Sequence, residues 1–188
     1  MSEAKYSNLK ELIFWSYANL AMAHAGIDKQ HLKYGTFHYI IRAKLFKGLK
    51  EGTMNIRSIF ADEKVKLMTG QICNYCGSDK NLSLDHIIPS YEGGADNAEN
   101  LIFACKSCNS SKGKKDLMEW MQNRNEFLPL MVIRRYLKLI YYHAEKNQLL
   151  SCSLDDLSNI KVPYKPHFIP VSYPQPALLK LTTINGNN

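Results

Sequence analysis

The stretch Cys73–Lys115 reads CNYC, then GSDKNLSLDHIIPSYEGGADNAENLIFAC, then KSCNSSKGKK, and its reading decides the fold. Two Cys-x-x-Cys pairs, Cys73/Cys76 and Cys105/Cys108, bracket the segment. Two cysteines spaced by two residues put both sulfurs on one ion only if the backbone turns sharply, and Gly77 suits that turn. Four thiolates from two such knuckles supply the corners of a tetrahedral zinc site. Between Cys76 and Cys105 lie 28 residues, more than a simple zinc-finger loop spans, so a further structure is expected inside the clamp. Reduced cysteines without metal are the bland alternative, and so regular a pattern argues against it.

Inside the clamp, Leu82, Leu84, Ile87 and Ile88 predict a short strand ending at Pro89. A polar loop with Gly93 and Gly94 follows, and LIFAC predicts a second strand that pairs with the first as a hairpin. The same segment carries Asp85, His86, Asn100 and, directly after the last cysteine, Asn109 and then Lys112. Histidine titrates near neutral pH, so His86 can take a proton from water. Asp85 and Asn109 offer a carboxylate and an amide oxygen, hard ligands that suit magnesium or manganese. Adjacent strand residues point to opposite faces, so the strand must end or bend at Asp85 and His86 if both serve one site.

These pieces, in order CNYC, DHIIP, GG at Gly93 and Gly94, NL at Asn100 and Leu101, CKSCN and Lys112, resemble the HNH endonuclease family with a four-cysteine zinc site. The match covers about 40 residues of the chain and says nothing of the flanks. The last motif position, often histidine, is Asn109, making this a His-Asn-Asn variant; asparagine there also occurs in active members. The resemblance implies a ββα-metal centre in which His86 is the general base. It further implies that Asp85 and Asn109 hold one divalent cation, that Asn100 orients His86 across the loop, and that Lys112, with Lys114 and Lys115, meets backbone phosphates. It also implies cleavage that leaves a 5′-phosphate and a 3′-hydroxyl.

The flanks are expected to be helical. Leu9, Leu12, Ile13, Leu20 and Ala21 predict a helix over Ser7–His24 with Gly26 as its stop; Asp28 caps a short piece interrupted at Gly35, and Thr36 caps a helix that Gly48 and Gly52 break. Arg42, Lys44, Lys47 and Lys50 give that helix a basic face, suited either to phosphates or simply to solvent. Ser58–Met68 reads as another short helix, Asn109–Asn123 as one, and Pro129 opens a further helix whose Arg134, Arg135 and Lys138 lie mostly off its apolar stripe. Ser153 with Asp156 can cap a last turn. Five of the seven prolines fall between Pro163 and Pro176, so the tail reads as extended or partly disordered. Cys152 and the histidines other than His86 read as bystanders or packing residues, and Trp15, Trp120, Tyr141 and Tyr142 as core or interface.

Composition agrees with a folded protein: 45% of the 188 residues are hydrophobic and 22% charged. The net charge of +7 favours a polyanionic partner. Residues 1–69 hold eleven Lys/Arg against six Asp/Glu, whereas residues 70–115 hold five of each, so the surplus lies beside the suspected site. No long apolar run or secretory signal pattern is present, and a cytoplasmic, reducing location favours metal ligands over disulfides.

The expectation is therefore an α+β protein, a zinc-clamped ββα-metal centre over 70–123. A basic helical region (1–69) precedes it, and a helix (124–150) and a Pro-rich tail (151–188) follow. Its expected function is a DNA endonuclease acting on double-stranded DNA, in restriction or antiphage defence, with a homodimer suited to cutting both strands. The alternatives are a zinc-stabilised nucleic-acid-binding module without catalysis and an RNA-cleaving effector.

Overall fold

The computed structural model describes residues 6–56, 71–124 and 126–183. The helix expected over Ser58–Met68 lies outside them. The chain begins with α1 (Leu9–Asp28), whose first turn is closed by Asn8 Oδ1 accepting from the Glu11 N–H at 2.9 Å. Two more of its free N–H groups are taken by carbonyls at the far end of the chain, Leu9 N to Cys152 O and Lys10 N to Leu150 O. Helix ends leave such donors unpaired, so the segment after the last long helix completes the first helix.

Gly26 does not stop α1; it is a buried residue within the helix, beneath Pro176. No second short helix starts at Asp28, because residues 29–35 form turns and irregular chain. Helix α2 (Thr36–Glu51) is capped by Gly35 rather than Thr36, and it runs through Gly48 to end at Gly52, whose φ of 73° is left-handed. The two helices pack with Trp15 edge-on to Phe46 at 5.2 Å between ring centroids. The basic face of α2 is partly committed within the protein: Arg42 lies over the Trp15 and Tyr39 rings, and Lys50 pairs with Glu11 at 2.6 Å.

The predicted hairpin is present. Strands β1 (Leu82–His86) and β2 (Leu101–Cys105) pair antiparallel, with Leu82 opposite Cys105 and His86 opposite Leu101. The single helix expected over Asn109–Asn123 is two, α3 (Lys106–Lys112) and α4 (Leu117–Asn123), separated where Gly113 adopts φ 52° and ψ −126°. Asp116 caps α4, its Oδ1 accepting from the Met118 and Glu119 N–H groups.

Helix α5 (Leu130–Lys146) follows Pro129 as expected, and its stripe of Ile133, Tyr136, Leu137, Ile140 and Ala144 is fully buried. Arg135 and Lys138 are buried too, against the expectation that they lie off the stripe. The Asp116 carboxylate accepts from the Tyr136 hydroxyl at 2.7 Å and the Lys165 N–H at 3.3 Å, tying α4, α5 and the tail together. Burial raises the pKa of that carboxyl.

Ser153 caps α6 (Leu154–Leu157) as its spacing with Asp156 predicts. Beyond it the tail has little regular structure, but over residues 158–183 it is packed, with Tyr164, Ile169, Tyr173 and Leu179 in the core. Its carbonyls serve the body: Val171 O accepts from Trp15 Nε1, and Lys180 O and Leu181 O accept from the first N–H groups of α5. Proline-rich chain leaves its carbonyls unpaired, and here they complete other elements. Among the described residues no helix is long and apolar enough to cross a membrane.

Candidate active site

The four cysteines converge. Their sulfurs lie within 4.8 Å of one another, and Cys76 Sγ is 3.7 Å from Cys105 Sγ. Four sulfurs at about 2.3 Å from a central zinc would be about 3.8 Å apart, so the cluster has the dimensions of a thiolate site. The backbone turns as expected: Gly77 N donates to Cys73 O, and Gly77 has φ 84°. Asn74 fastens the first knuckle to β2 through its N–H and its side chain, both to Phe103 O. Burial pushes the Cys76 and Cys108 thiols above their ordinary range. Burial also acts on Cys105, but the Cys108 N–H and the neighbouring thiols outweigh it and bring it to about 7. Thiols crowded this closely need a cation if all four are to ionise, and the donor set fits a metal ion.

Asp85 sits near the end of β1 with its side chain facing inward, 6% exposed. Its Oδ2 accepts from the Tyr75 hydroxyl at 2.6 Å and its Oδ1 from Lys112 Nζ at 3.2 Å. Lys112 is fully buried, its Nζ also donating to His86 O at 2.6 Å. The expected phosphate contact at Lys112 therefore gives way to an internal one, and the ammonium serves as the counter-charge of Asp85. Burial lowers the Lys112 pKa, opposed by Asp85 and Asp116. Tyr75 stands edge-on to Trp120 at 4.8 Å between centroids, and burial, then the Asp85 charge, holds its pKa well above the ordinary range.

His86 is the last residue of β1, so alternation sends its ring away from Asp85 towards the outside. Its Nε2 lies 3.0 Å from Asp96 Oδ1, a residue of the loop that sequence reasoning passed over. The His86 side chain is 27% exposed and that of Asp96 83%. Asn109, on the first turns of α3, donates from Nδ2 to Ser83 Oγ at 3.0 Å and Leu84 O at 3.4 Å, against the strand that carries Asp85.

Asn100 is buried and locks the loop after His86. Its Oδ1 accepts from Ile88 N at 2.8 Å, and its Nδ2 donates to Ile88 O at 2.8 Å and Ala95 O at 2.9 Å. Gly94 passes so close that a Cβ there would lie 2.0 Å from Ile88 O, which accounts for the glycine. Arg135 of α5 reaches the same loop from outside the motif, donating to the Ala98 and Glu99 carbonyls just before Asn100. Lys114 places its ammonium 4.2 Å from the centre of the exposed Tyr91 ring, on the loop after His86.

The structure thus sets Lys112 on Asp85 near the end of β1 and Asn109 against Ser83 and Leu84 of the same strand, and it holds Asn100 beneath the loop. Strand pairing continues through Asp85 and His86 without the expected bend, so the His86 ring faces the other side from Asp85. Tyr75, Asp96 and Arg135 complete the arrangement. Tyr75 reads as a mere spacer within CNYC, and Asp96 as a loop carboxylate. The bonds from Arg135 to the Ala98 and Glu99 carbonyls carry no sequence signal, since any residue offers a backbone carbonyl.

Comparison with known proteins agrees with this geometry. The HNH endonuclease family matches residues 73–115. A CRISPR-associated endonuclease Cas9 of Corynebacterium diphtheriae is 33% identical over 90 residues, which is 43% of this chain but 8% of that relative. No solved structure matches. With the hairpin, the following helix and the cysteine cluster in place, residues 73–115 of this chain form an HNH endonuclease domain.

Proposed function

We propose that the protein is a metal-dependent DNA endonuclease in which His86 is the general base. The observation that carries the proposal is that Asp85, His86 and Asn109 all lie on or against β1 within the cysteine-bracketed stretch that the HNH endonuclease family matches. In the tautomer that donates Nε2–H to Asp96, the other ring nitrogen of His86 accepts the proton of an attacking water. Water adds to the phosphorus, the bond to the 3′-oxygen breaks, and the products are a 5′-phosphate and a 3′-hydroxyl.

Asp85 and Asn109 hold one magnesium or manganese ion in this reading, and the ion would offset charge building on the phosphate. Asn109 has its Nδ2 on Ser83 and Leu84, which leaves Oδ1 as the ligand atom. Asp85 keeps acceptor capacity, since a carboxylate has about four lone-pair sites and two are used. The four cysteines hold zinc, a closed site with no substrate position. Asn100 positions His86 by fixing the loop. Lys114 and Lys115 meet backbone phosphates, and Lys112 balances Asp85.

Duplex DNA as substrate, a homodimer that addresses both strands, and a cytoplasmic restriction or antiphage role belong to the same proposal. Incubating the pure protein with supercoiled plasmid and Mg2+, beside His86→Ala, tests it. Cleavage by the wild type, lost without the cation and reduced about 100- to 10,000-fold in the variant, is expected. Equal cutting by both proteins contradicts the proposal, and so does no cutting of any DNA. Labelled RNA in the same tube shows whether RNA is the preferred substrate.

One observation favours a second reading: both Asp85 oxygens already have partners inside the protein. A zinc-stabilised nucleic-acid-binding module would keep the Asp-His pair for structure alone. It predicts salt-sensitive DNA binding that is indifferent to His86→Ala, without cation-dependent cleavage.

A further inference from the structure

Tyr75 lies between two zinc-type ligands, Cys73 and Cys76, yet its side chain serves the other site. The ring is buried and packs edge-on against Trp120 of α4, which fixes where the hydroxyl can be. That hydroxyl donates to Asp85 Oδ2 at 2.6 Å, a short charge-assisted bond. The other oxygen accepts from Lys112 Nζ at 3.2 Å, a longer bond from an ammonium held more closely by His86 O at 2.6 Å. The rigid partner of Asp85 is therefore delivered by the cysteine knuckle, whose own backbone is bound to β2 through Asn74.

We infer that Tyr75 is a positioning residue that sets the Asp85 carboxylate for the divalent cation and couples the order of the cysteine cluster to cation affinity. The inference rests on the proposed cation site at Asp85 and Asn109. Hydrogen-bonded partners of metal-ligating carboxylates orient the ligand, and their loss costs about 10- to 100-fold in metal affinity. Tyr75 reaches no substrate; its effect passes through Asp85.

Tyr75→Phe tests the inference, because it keeps the ring on Trp120 and removes one oxygen. The readouts are zinc per chain by atomic absorption and Mn2+ affinity from the electron paramagnetic resonance signal of the free ion, neither of which needs catalysis. The expected result is unchanged zinc with Mn2+ binding weakened at least about 10-fold. The Mg2+ concentration for half-maximal cleavage should rise by a similar factor, while the rate at saturating Mg2+ falls less. In an Asp85→Asn background, Tyr75→Phe should add little to the loss of Mn2+ affinity.

Unchanged Mn2+ affinity in Tyr75→Phe, with the wild type binding normally, overturns the inference alone. Loss of zinc together with Mn2+ overturns it as well, by making Tyr75 a structural residue of the knuckle. An equal effect of Tyr75→Phe in the Asp85→Asn background overturns it too, because the effect would not pass through Asp85. If the wild type itself binds no Mn2+, the cation site fails and the inference falls with it.

Discussion

The cysteine cluster and the Asp85–His86–Asn109 group share one stretch of chain and are built in opposite ways. The cluster uses four donors of one kind, all from the two knuckles, and three of the four are buried. The second group uses a carboxylate, an imidazole and an amide, each held by a partner of another type. Those partners are Tyr75 and Lys112 for Asp85, Asp96 for His86, and Ser83 and Leu84 for Asn109. On the proposed function, the difference separates a site that makes structure from one that needs structure. A closed set of like ligands is complete once its ion is bound. Unlike groups must each be held separately, and here the partners come from the first knuckle, α3, the loop after His86 and β1 itself.

The comparison breaks most visibly at the cysteines. Cys105→Ser should abolish tight zinc binding and unfold the hairpin and α3, since metal-binding energy in such sites is folding energy, on the order of 10 kcal/mol in small zinc modules. Thermal unfolding and zinc content read the effect; a folded, zinc-loaded variant would refute it. His86→Ala should do the reverse, retaining zinc and melting temperature while cleavage falls about 100- to 10,000-fold. A melting temperature that drops as far as in Cys105→Ser would erase the distinction between the two sites.

Smaller effects sharpen the boundary. Asn100→Ala leaves the buried Ile88 N–H and C=O without their partner, and unpaired buried groups cost about 1–3 kcal/mol each. Chemical denaturation should show a loss of that size together with reduced cleavage, because the loop after His86 is released. Lys114→Ala with Lys115→Ala should leave stability unchanged and weaken DNA binding a few-fold, with a shallower salt dependence. An unchanged salt slope would remove both residues from the phosphate contact.

The sequence makes much of the centre legible because its constraints are local. The Cys-x-x-Cys spacing demands a knuckle, Pro89 and the glycines bound a hairpin, and Gly94 is explained once the Ile88 carbonyl is seen against it. What stays hidden is the use of charge inside the protein. Lys112, Arg135 and Lys138 read as surface because charged side chains are seldom buried, yet each lies within the fold, where Lys112 meets Asp85 and Arg135 meets backbone carbonyls. Asp96 pairs with His86 only because the loop folds back, a tertiary fact with no periodic trace. Gly26 and Gly48 read as helix stops and are instead accommodated within helices, where packing outweighs propensity. The tail's order was hidden for a similar reason, since its carbonyls are used by partners far away in sequence.

The proposed function predicts two separable metal dependences. The most direct measurement follows circular dichroism and plasmid cleavage on one sample through two removals, first of the weakly held ion by brief dialysis against a chelator, then of zinc by prolonged chelation. The account predicts that the first removal ends cleavage with the spectrum and zinc content unchanged, and that added Mg2+ restores it. The second should collapse the fold of the centre, and Mg2+ alone should not recover activity. Loss of structure at the first step, or full cleavage after the second, would contradict the division into a zinc clamp and a separate catalytic centre.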